Sequence, residues 1–217
     1  MIETDSPPSA LPAFTPSFQS KNRMQIVVET DPASLADHIP SLESLADSGI
    51  EPNPFYEHWM LIPALREFSN EDVRVVLIYD EFRDGHPGPL CGVIPIVRRR
   101  AYRQLPIPNL SLWKHKYCFY CTPLLRTGSA DRALAAFFDW IEKTSAAWSL
   151  FEFNHTAGDG PFPKLLEAEL ERRRRRRHAI ERFERAMIEP AADGAAYLRV
   201  HVSNGRRKEL RRQFNRL

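Results

Sequence analysis

The sequence lacks several features by which whole classes of protein are recognised. No run of 18 apolar residues occurs, so we expect no membrane-spanning helix. Residues 1–23 show no basic start followed by an apolar stretch, which argues against a secretory signal. Only three cysteines are present, too few for a disulfide framework. Together these absences predict a reduced, cytoplasmic setting.

Common catalytic and metal-binding motifs are also missing. The chain has no G-x-S-x-G, no phosphate-binding P-loop and no dinucleotide fingerprint. The seven histidines form no H-x-x-x-H or H-E-x-x-H pattern, so we predict no metal site. Cys118 and Cys121 have C-x-x-C spacing without a second ligand pair. Residues three apart in a strand face opposite sides, so we interpret this pair as lining the core.

Charge is unevenly spread although the net charge is only +2. From Lys164 onward there are 16 Lys and Arg against 8 Asp and Glu, whereas residues 1–163 carry 14 against 20. An anionic ligand, nucleic acid or an acidic membrane surface could use the basic quarter; solvated basic helices are the alternative. Six consecutive arginines, residues 172–177, indicate a solvated helix end or a dock for an acidic partner or membrane surface. No RNA-binding or helix-turn-helix motif accompanies them, which disfavours nucleic acid.

Hydrophobic periodicity and turn residues predict the order of elements. We expect a proline-rich disordered leader over 1–23. Pro63 predicts a kink inside a helix, and Pro95 predicts a bulge or a sheet edge. The predicted strands are 24–30, 73–79, 90–97, 117–125, 149–153 and 178–188, and the predicted helices are 34–48, one opened by Asn53-Pro54, 130–147 and one from about 161. This order predicts an α/β or α+β fold whose mixed, largely antiparallel sheet is flanked by helices.

Residues 195–217 combine an apolar stripe of helical period with many arginines. Ser203 can cap a helix N-terminus, so we predict a short helix to Val202, a break, and a second helix from about Asn204. No stop signal precedes Leu217, so we expect the sequence to end inside that element.

Four segments in this order carry a family resemblance. They are Asn53-Pro54-Phe55 through Trp59 ("NPF…W"), residues 90–100 ("G-hydrophobic-P-hydrophobic-RRR"), residues 120–128 ("Y-x-x-PL-hydrophobic-x-x-G") and residues 197–217 ("YL…S-x-x-x-R-x-x-LRR…RL"). In these the chain resembles the GNAT-superfamily acyltransferases of the Fem-like type, in particular the cellulose-biosynthesis-type acetyltransferases with two tandem GNAT-like lobes. The resemblance implies a GNAT-like N-terminal lobe over 24–190 and the start of a second, acyltransferase lobe at 195–217.

The same resemblance implies an activity. It implies N- or O-acyl transfer from acetyl-CoA or another acyl-CoA to a small-molecule or glycan-precursor acceptor, in envelope or exopolysaccharide metabolism. The acyl-CoA site would lie mainly in the second lobe, so a chain supplying that lobe is an expected partner. Catalytic residues are not predicted.

The sequence offers one candidate phosphate loop. A GNAT lobe holds the acyl-CoA diphosphate on backbone N–H groups of a glycine-containing loop at a helix N-terminus. The nearest match is Arg126-Thr127-Gly128-Ser129-Ala130, which is one residue short and has one glycine. Asp131 would suit the helix dipole but not a phosphate. We therefore interpret the segment as a loop and cap, in a degenerate lobe that shapes a substrate cleft.

Two groups of residues are candidates for substrate binding. His115, Tyr117, Tyr120 and Thr122 alternate along a strand-like segment and could line a pocket, with a core role as the alternative. Arg206, Arg207, Lys208 and Arg211 could face an inter-lobe cleft or an anionic substrate. His155 follows a predicted strand, at the kind of loop where sheet proteins bind ligands.

Three hypotheses remain open at this point. The first is a tandem-GNAT acyltransferase, and the second is a lobe that only binds or assembles with a partner. The third is a basic nucleic-acid-binding protein. Peripheral membrane contact also remains open.

Overall fold

A seven-stranded sheet forms the centre of the first of two units. The structure, a computed structural model, describes residues 18–19 (backbone only), 23–69, 72–81, 87–144, 150–184 and 193–216. Its two units are Met1–His178 and Ala179–Leu217. The first unit ends earlier than the lobe predicted over 24–190, and that lobe boundary stays a prediction.

The sheet is mixed and largely antiparallel, as predicted. Its strands are β1 (Phe18–Gln19), β2 (Gln25–Glu29), β3 (Asp72–Tyr79), β4 (Leu90–Arg99), β5 (Asn109–Leu112), β6 (Leu124–Leu125) and β7 (Leu150–Glu152). Their order is β1-β2-β3-β4-β5-β7, and β6 pairs with β4 beside β5. The β5–β7 pair is parallel and the other pairs are antiparallel.

Helices flank this sheet. They are α1 (Ile39–Asp47), α2 (His58–Phe68), α3 (Ala130–Thr144) and α4 (Pro161–Arg172), with 3-10 turns at Ser34–His38 and Pro54–Tyr56. Eight successive residues of β4 from Leu90 are buried, so both faces of this strand are covered. Gly92 allows α3 to approach, because a Cβ there would lie 3.1 Å from Leu125 and 3.6 Å from Ala133.

Pro95 lies inside the sheet, and the bulge or edge predicted there is wrong. Pro95 pairs with Val75 on one side, and its carbonyl accepts from Trp113 N on the other at 2.9 Å. Backbone N and O of a strand residue point the same way, so the donor that proline lacks would have met Trp113 O. The Tyr56 hydroxyl donates to that carbonyl instead, at 2.9 Å. A side chain thus supplies the hydrogen bond that the proline cannot make.

Several other predicted elements differ from the observed ones. The strand predicted over 117–125 is reduced to β6, because residues 113–123 leave the sheet as an excursion without regular structure. Residues 178–184 form no strand, and the rest of that predicted strand, 185–188, is outside the described residues. Within the predicted disordered leader, Phe18–Gln19 pair with β2. Residues 1–17 and 20–22 of that leader lie outside the residues that the structure describes.

The second unit contains two short helices, α5 (Gly194–His201) and α6 (Asn204–Phe214). The predicted break lies between them. The Asp193 carboxylate caps α5 by accepting from Ala196 N at 2.5 Å. Ser203 occupies the N-cap position of α6 as predicted, but its side chain makes no capping bond. Neither helix buries a side chain.

Candidate functional site

The candidate site lies at the sheet edge where the parallel strands β5 and β7 end. Because the two strands are parallel, the residues that follow them leave the sheet side by side. Trp113-Lys114-His115 follow β5 and Phe153-Asn154-His155 follow β7. The excursion over 113–123 and the loop over 153–160 build the site from these two exits.

A lysine–histidine contact joins the two exits. Lys114 Nζ lies 2.7 Å from His155 Nε2, and His155 adopts a left-handed backbone conformation with φ 52°. An ammonium group has only donors, so Nε2 accepts and the imidazole proton resides on Nδ1. The basic nitrogen of His155 is therefore occupied. In this geometry the pair can hold a ligand, but His155 cannot take a proton from one through Nε2.

Further hydrogen bonds hold the excursion against the β7 loop. Cys121 N donates to the His155 carbonyl at 3.0 Å, and Ala157 N donates to Thr122 Oγ1 at 3.0 Å. Asn154 Oδ1 is buried and makes no hydrogen bond to the described part of the chain. An acceptor in that state marks the loop after β7 as incompletely satisfied.

A buried carboxylate supports the other side of the excursion. Glu51 accepts from the Tyr120 hydroxyl at 2.8 Å and from Phe162 N at 2.8 Å. It thereby caps α4 from a distant part of the chain, because the N-cap residue Gly160 has no side chain. Gly160 has φ 100°, and a Cβ there would come within 2.7 Å of the Glu51 carboxylate. Tyr120 is thus fixed by a bond that no local pattern in the sequence indicates.

The four residues predicted to line a pocket fall into two pairs. Tyr120 and Thr122 lie together, since Asn53 Nδ2 donates to both of their carbonyls, at 3.3 and 2.7 Å. His115 stacks on Phe68 with ring centroids 5.1 Å apart, and burial lowers its pKa. Tyr117 lies next to His115 and is exposed. The alternating strand that was expected to align them is absent, and their binding role stays a prediction.

The loop before α3 is closed by its own side chain. Arg126 donates to Leu90 O at 2.7 Å, to Ser48 Oγ at 2.5 Å and to Ser44 Oγ at 3.0 Å. Backbone N–H groups of the loop are also engaged: Arg126 N with Cys91 O, and Thr127 N with Ser48 O. Gly128 adopts φ 79°. The position that would cradle a diphosphate instead joins α1 to the start of β4.

The cysteine pair lies closer together than predicted. Cys118 and Cys121 fall in the excursion rather than in a strand, so the opposite-face argument does not apply. Their sulfurs are 3.6 Å apart, and both side chains are fully buried. The pKa of the Cys121 thiol is raised. The hydrogen bond with Cys118 is the largest cause, and burial is the next. The Cys121 thiol therefore stays protonated, and the expected core role of the pair agrees with the burial of both side chains.

The arginine run is a solvated end at five of its six positions and a structural joint at Arg173. Helix α4 ends at Arg172, and the Arg173 side chain is only 8% exposed. It donates to Glu169 at 2.5 Å, Asp139 at 2.6 Å, Glu142 at 3.0 Å and the Ala135 carbonyl at 2.8 Å. This one residue ties α4 to α3. Arg174 and Arg176 are exposed.

A second buried polar cluster lies away from this site. His38 Nδ1 is 2.5 Å from the Tyr79 hydroxyl, and His38 Nε2 is 3.4 Å from Glu29. Burial lowers the pKa of His38, and Glu29 opposes that effect in part. The cluster links β2, β3 and the start of α1, which makes it a structural contact.

The remaining predicted binders lie in the second unit. Arg206, Arg207, Lys208 and Arg211 are on α6; Arg207 is half-buried against the Asn204 side chain, and the other three are exposed. Their role in substrate binding stays a prediction. Among the residues that the structure describes, no group of three or more His, Cys, Asp or Glu could hold a metal ion. No described helix is long and apolar enough to cross a membrane.

Comparisons with known proteins give two distant structural likenesses. No family model matches the chain, and no curated protein matches it. An acetyltransferase of Trypanosoma brucei aligns with 76% of this chain and 99% of its own, at 13% identity and a TM-score of 0.42. An aminoglycoside acetyltransferase from an uncultured soil metagenomic sample, solved with sisomicin, aligns with 78% of this chain and 98% of its own, at 14% identity and a TM-score of 0.37.

Proposed function

We propose that this chain is part of a tandem-lobe acyltransferase of the GNAT type, in which the first unit helps to bind the acyl acceptor. The observation that carries the proposal is the crossover from β5 and β6 through α3 to β7. It has a glycine-containing loop at the N-terminus of α3, in an otherwise antiparallel sheet. A GNAT lobe uses this arrangement to hold acyl-CoA. The four sequence segments that resemble the Fem-like family support the same assignment.

The first unit does not bind the acyl-CoA diphosphate in this proposal. Arg126, the loop's own cation, is bonded to three oxygens of the protein. Asp131 adds a negative charge in the first turn of α3. A bound diphosphate would be repelled by the Asp131 carboxylate. The Arg126 guanidinium would not offset this repulsion, because it is already hydrogen-bonded within the protein. The donor, acetyl-CoA or another acyl-CoA, would be held by a second lobe, in the same protein or in a partner chain.

The acceptor would be held at the edge between the excursion and the β7 loop. Lys114 offers an ammonium group, and Tyr117 in the same excursion offers an exposed side chain with a hydroxyl. Such groups suit a hydroxylated small molecule or glycan precursor, and an envelope or exopolysaccharide role in the cytoplasm follows from the family resemblance. Transfer would proceed by direct attack of the acceptor on the thioester, with the oxyanion stabilised by backbone N–H groups of the second lobe.

Calorimetric titration of this chain with acetyl-CoA, alongside a thiol-release assay, tests the division between lobes. We expect neither binding nor turnover by the chain alone. Substituting Arg126 with Gly should not create binding, because the Asp131 carboxylate remains. Turnover by the wild-type chain without any partner would contradict the proposal that the first unit does not bind the acyl donor.

Ligand-observed NMR with amino sugars, neutral sugars and short amine-bearing peptides tests the acceptor site. We expect one class to bind, and Lys114→Met to weaken binding at least tenfold. Lys116→Met is the matched control, since Lys116 lies in the same excursion but contacts the Phe68 and Tyr117 rings rather than His155. Equal losses in both variants, or no binding by any class, would contradict the assignment.

The second unit favours a further candidate function, assembly with a partner. Helices α5 and α6 bury no side chain, while Leu198, Val200, Leu210 and Phe214 are exposed. Helices this short gain most of their stability from packing. We infer that they complete their packing on another lobe or chain. Self-association or binding that is lost in Leu210→Glu/Phe214→Glu, but kept in Gln213→Glu, would support this role.

A further inference from the structure

The turn that joins β4 to β5 is strongly basic. Arg98 and Arg99 end β4, Arg100 and Arg103 lie in the turn itself, and residues 98–108 contain no Asp or Glu. We call residues 98–108 the basic tip. Residues 1–163 as a whole have more acidic than basic residues, so the tip is a positive feature on an acidic background.

The basic tip is folded rather than loose. Tyr102 and Leu105 exchange both backbone hydrogen bonds, each at 3.0 Å, and Ile107 N donates to Leu105 O at 2.8 Å. Arg103 at the apex has φ 53°, a left-handed conformation that costs a residue with a Cβ. The turn therefore holds a guanidinium where glycine or asparagine would be less strained.

Apolar side chains project from the same turn. Leu105 is 57% exposed and Ile107 is 37% exposed, and Pro106 and Pro108 beside them are exposed too. The Arg103 guanidinium lies 5.7 Å from the centre of the Tyr102 ring. Arg100 and Arg103 form no ion pair within the described part of the chain. Cationic and aliphatic side chains are thus both exposed within residues 100–108.

This combination distinguishes between anionic partners. Nucleic-acid sites pair arginines with polar or stacking side chains, and exposed leucine, isoleucine and proline gain little against a sugar–phosphate backbone. A lipid bilayer rewards both kinds of group, because guanidinium groups contact lipid phosphates while aliphatic side chains enter the headgroup–acyl boundary. We propose that the basic tip docks this protein on an anionic phospholipid surface. Arg100 and Arg103 contact lipid phosphates, and Leu105 and Ile107 insert.

Co-sedimentation of the full chain with lipid vesicles tests the proposal. Wild-type protein should bind vesicles of phosphatidylcholine and phosphatidylserine, and not vesicles of phosphatidylcholine alone. Arg100→Gln/Arg103→Gln should weaken partitioning about 25-fold, since each of the two cations near an anionic surface contributes about fivefold. The control Arg174→Gln/Arg176→Gln removes two exposed arginines elsewhere and should bind like wild type.

Two further measurements keep insertion and folding separate from charge. Leu105→Ser/Ile107→Ser should weaken binding with no change in net charge, and unchanged thermal midpoints would show that every variant is folded. A fluorophore on Leu105→Cys should shift to the blue on anionic vesicles; the three native cysteines are buried. The proposal fails if the wild-type protein does not bind phosphatidylserine vesicles, or if Arg174→Gln/Arg176→Gln loses as much binding as Arg100→Gln/Arg103→Gln. It also fails if Leu105→Ser/Ile107→Ser binds vesicles as well as wild type does. Binding of duplex DNA in place of vesicles would point to nucleic acid and overturn it equally.

Discussion

At the residue scale, single side chains join elements that are far apart in the sequence. Arg173 binds three carboxylates from α3 and α4 while only 8% of its side chain is exposed. Glu51 binds Phe162 N, which lies 111 positions later in the chain. The Glu51 contact is long-range, and the i,i+4 spacing of Glu169 and Arg173 says nothing about α3, so the sequence did not indicate that Arg173 joins the two helices.

Replacing Arg173 with Met should destabilise the first unit by about 2 kcal/mol, because Asp139 loses this cation and Glu169 keeps only its bonds from Arg172. Urea unfolding followed by circular dichroism measures the change. Arg176→Met, an exposed neighbour, should shift the free energy of unfolding by less than about 0.5 kcal/mol. Equal effects would show that Arg173 contributes only general charge.

Glu169 should make the first unit sensitive to acid. Burial alone would raise its pKa, but hydrogen bonds from Arg172 and Arg173 outweigh burial and lower it. A lowered folded pKa means that the stabilisation is complete above the unfolded value of about 4.3 and is lost as the pH falls through the folded value. Urea midpoints from pH 7 to 3 should therefore fall more steeply in wild type than in Glu169→Gln. Glu167→Gln, at an exposed position, should retain the wild-type slope.

At the element scale, the predictable parts are those with local signals. The β3–β4 hairpin follows from two apolar runs around a turn-rich segment, and the break between α5 and α6 follows from residues around Ser203. The interruption between β5 and β6 could not be predicted. The position of Pro95 inside the sheet depends on hydrogen bonds that involve Trp113 and Tyr56, which are distant from it in the sequence. The Lys114–His155 contact likewise joins two strand exits 41 residues apart.

Tyr56→Phe should cost about 1–3 kcal/mol, because it leaves the buried Trp113 carbonyl without a donor. Pro95→Ala restores a backbone N–H that faces the same carbonyl. The Tyr56→Phe penalty should therefore be smaller in the Pro95→Ala background. Unfolding free energies of wild type, the two single variants and the double variant give the coupling energy. Additive penalties would show that the backbone N–H restored in Pro95→Ala does not replace the Tyr56 hydroxyl as donor.

Glu51→Ala should cost about 2 kcal/mol, since one carboxylate both caps α4 and accepts from Tyr120. Tyr120→Phe should cost less, because the cap survives. Glu57→Ala serves as the control, a half-exposed carboxylate that bonds only the exposed Trp59 indole. A thermal-unfolding series that ranks Glu57→Ala with Glu51→Ala would remove the capping role.

At the scale of the whole molecule, stability should be unequal between the two units. Strands β3 and β4 and helix α3 supply much of the buried core, whereas α5 and α6 contribute no buried side chain. The architecture of the first unit could be predicted from element order, while the packing state of the second could not, because an apolar stripe does not reveal what it packs against.

Hydrogen–deuterium exchange of the full chain measures this difference. Amides of α3 should exchange slowly, near the rate set by global unfolding, and amides of α5 and α6 should exchange within seconds. A partner that completes the second unit should slow its exchange selectively. Equal protection of α3 and α6 in the chain alone would contradict the assembly role.

The interrupted strand beside Pro95 has one more consequence. The pieces on either side of the excursion pair with β4 independently, β5 through Ile96–Arg99 and β6 through Gly92 and Val93. Each register is fixed without reference to the length of chain between the two pieces. The exposed part of the excursion, residues 116, 117 and 119, can therefore change while the sheet keeps its alignment, whereas Trp113, Cys118 and Cys121 belong to the core. Since Lys114, Tyr120 and Thr122 flank this exposed part, insertion or deletion there would reshape the acceptor site that we propose.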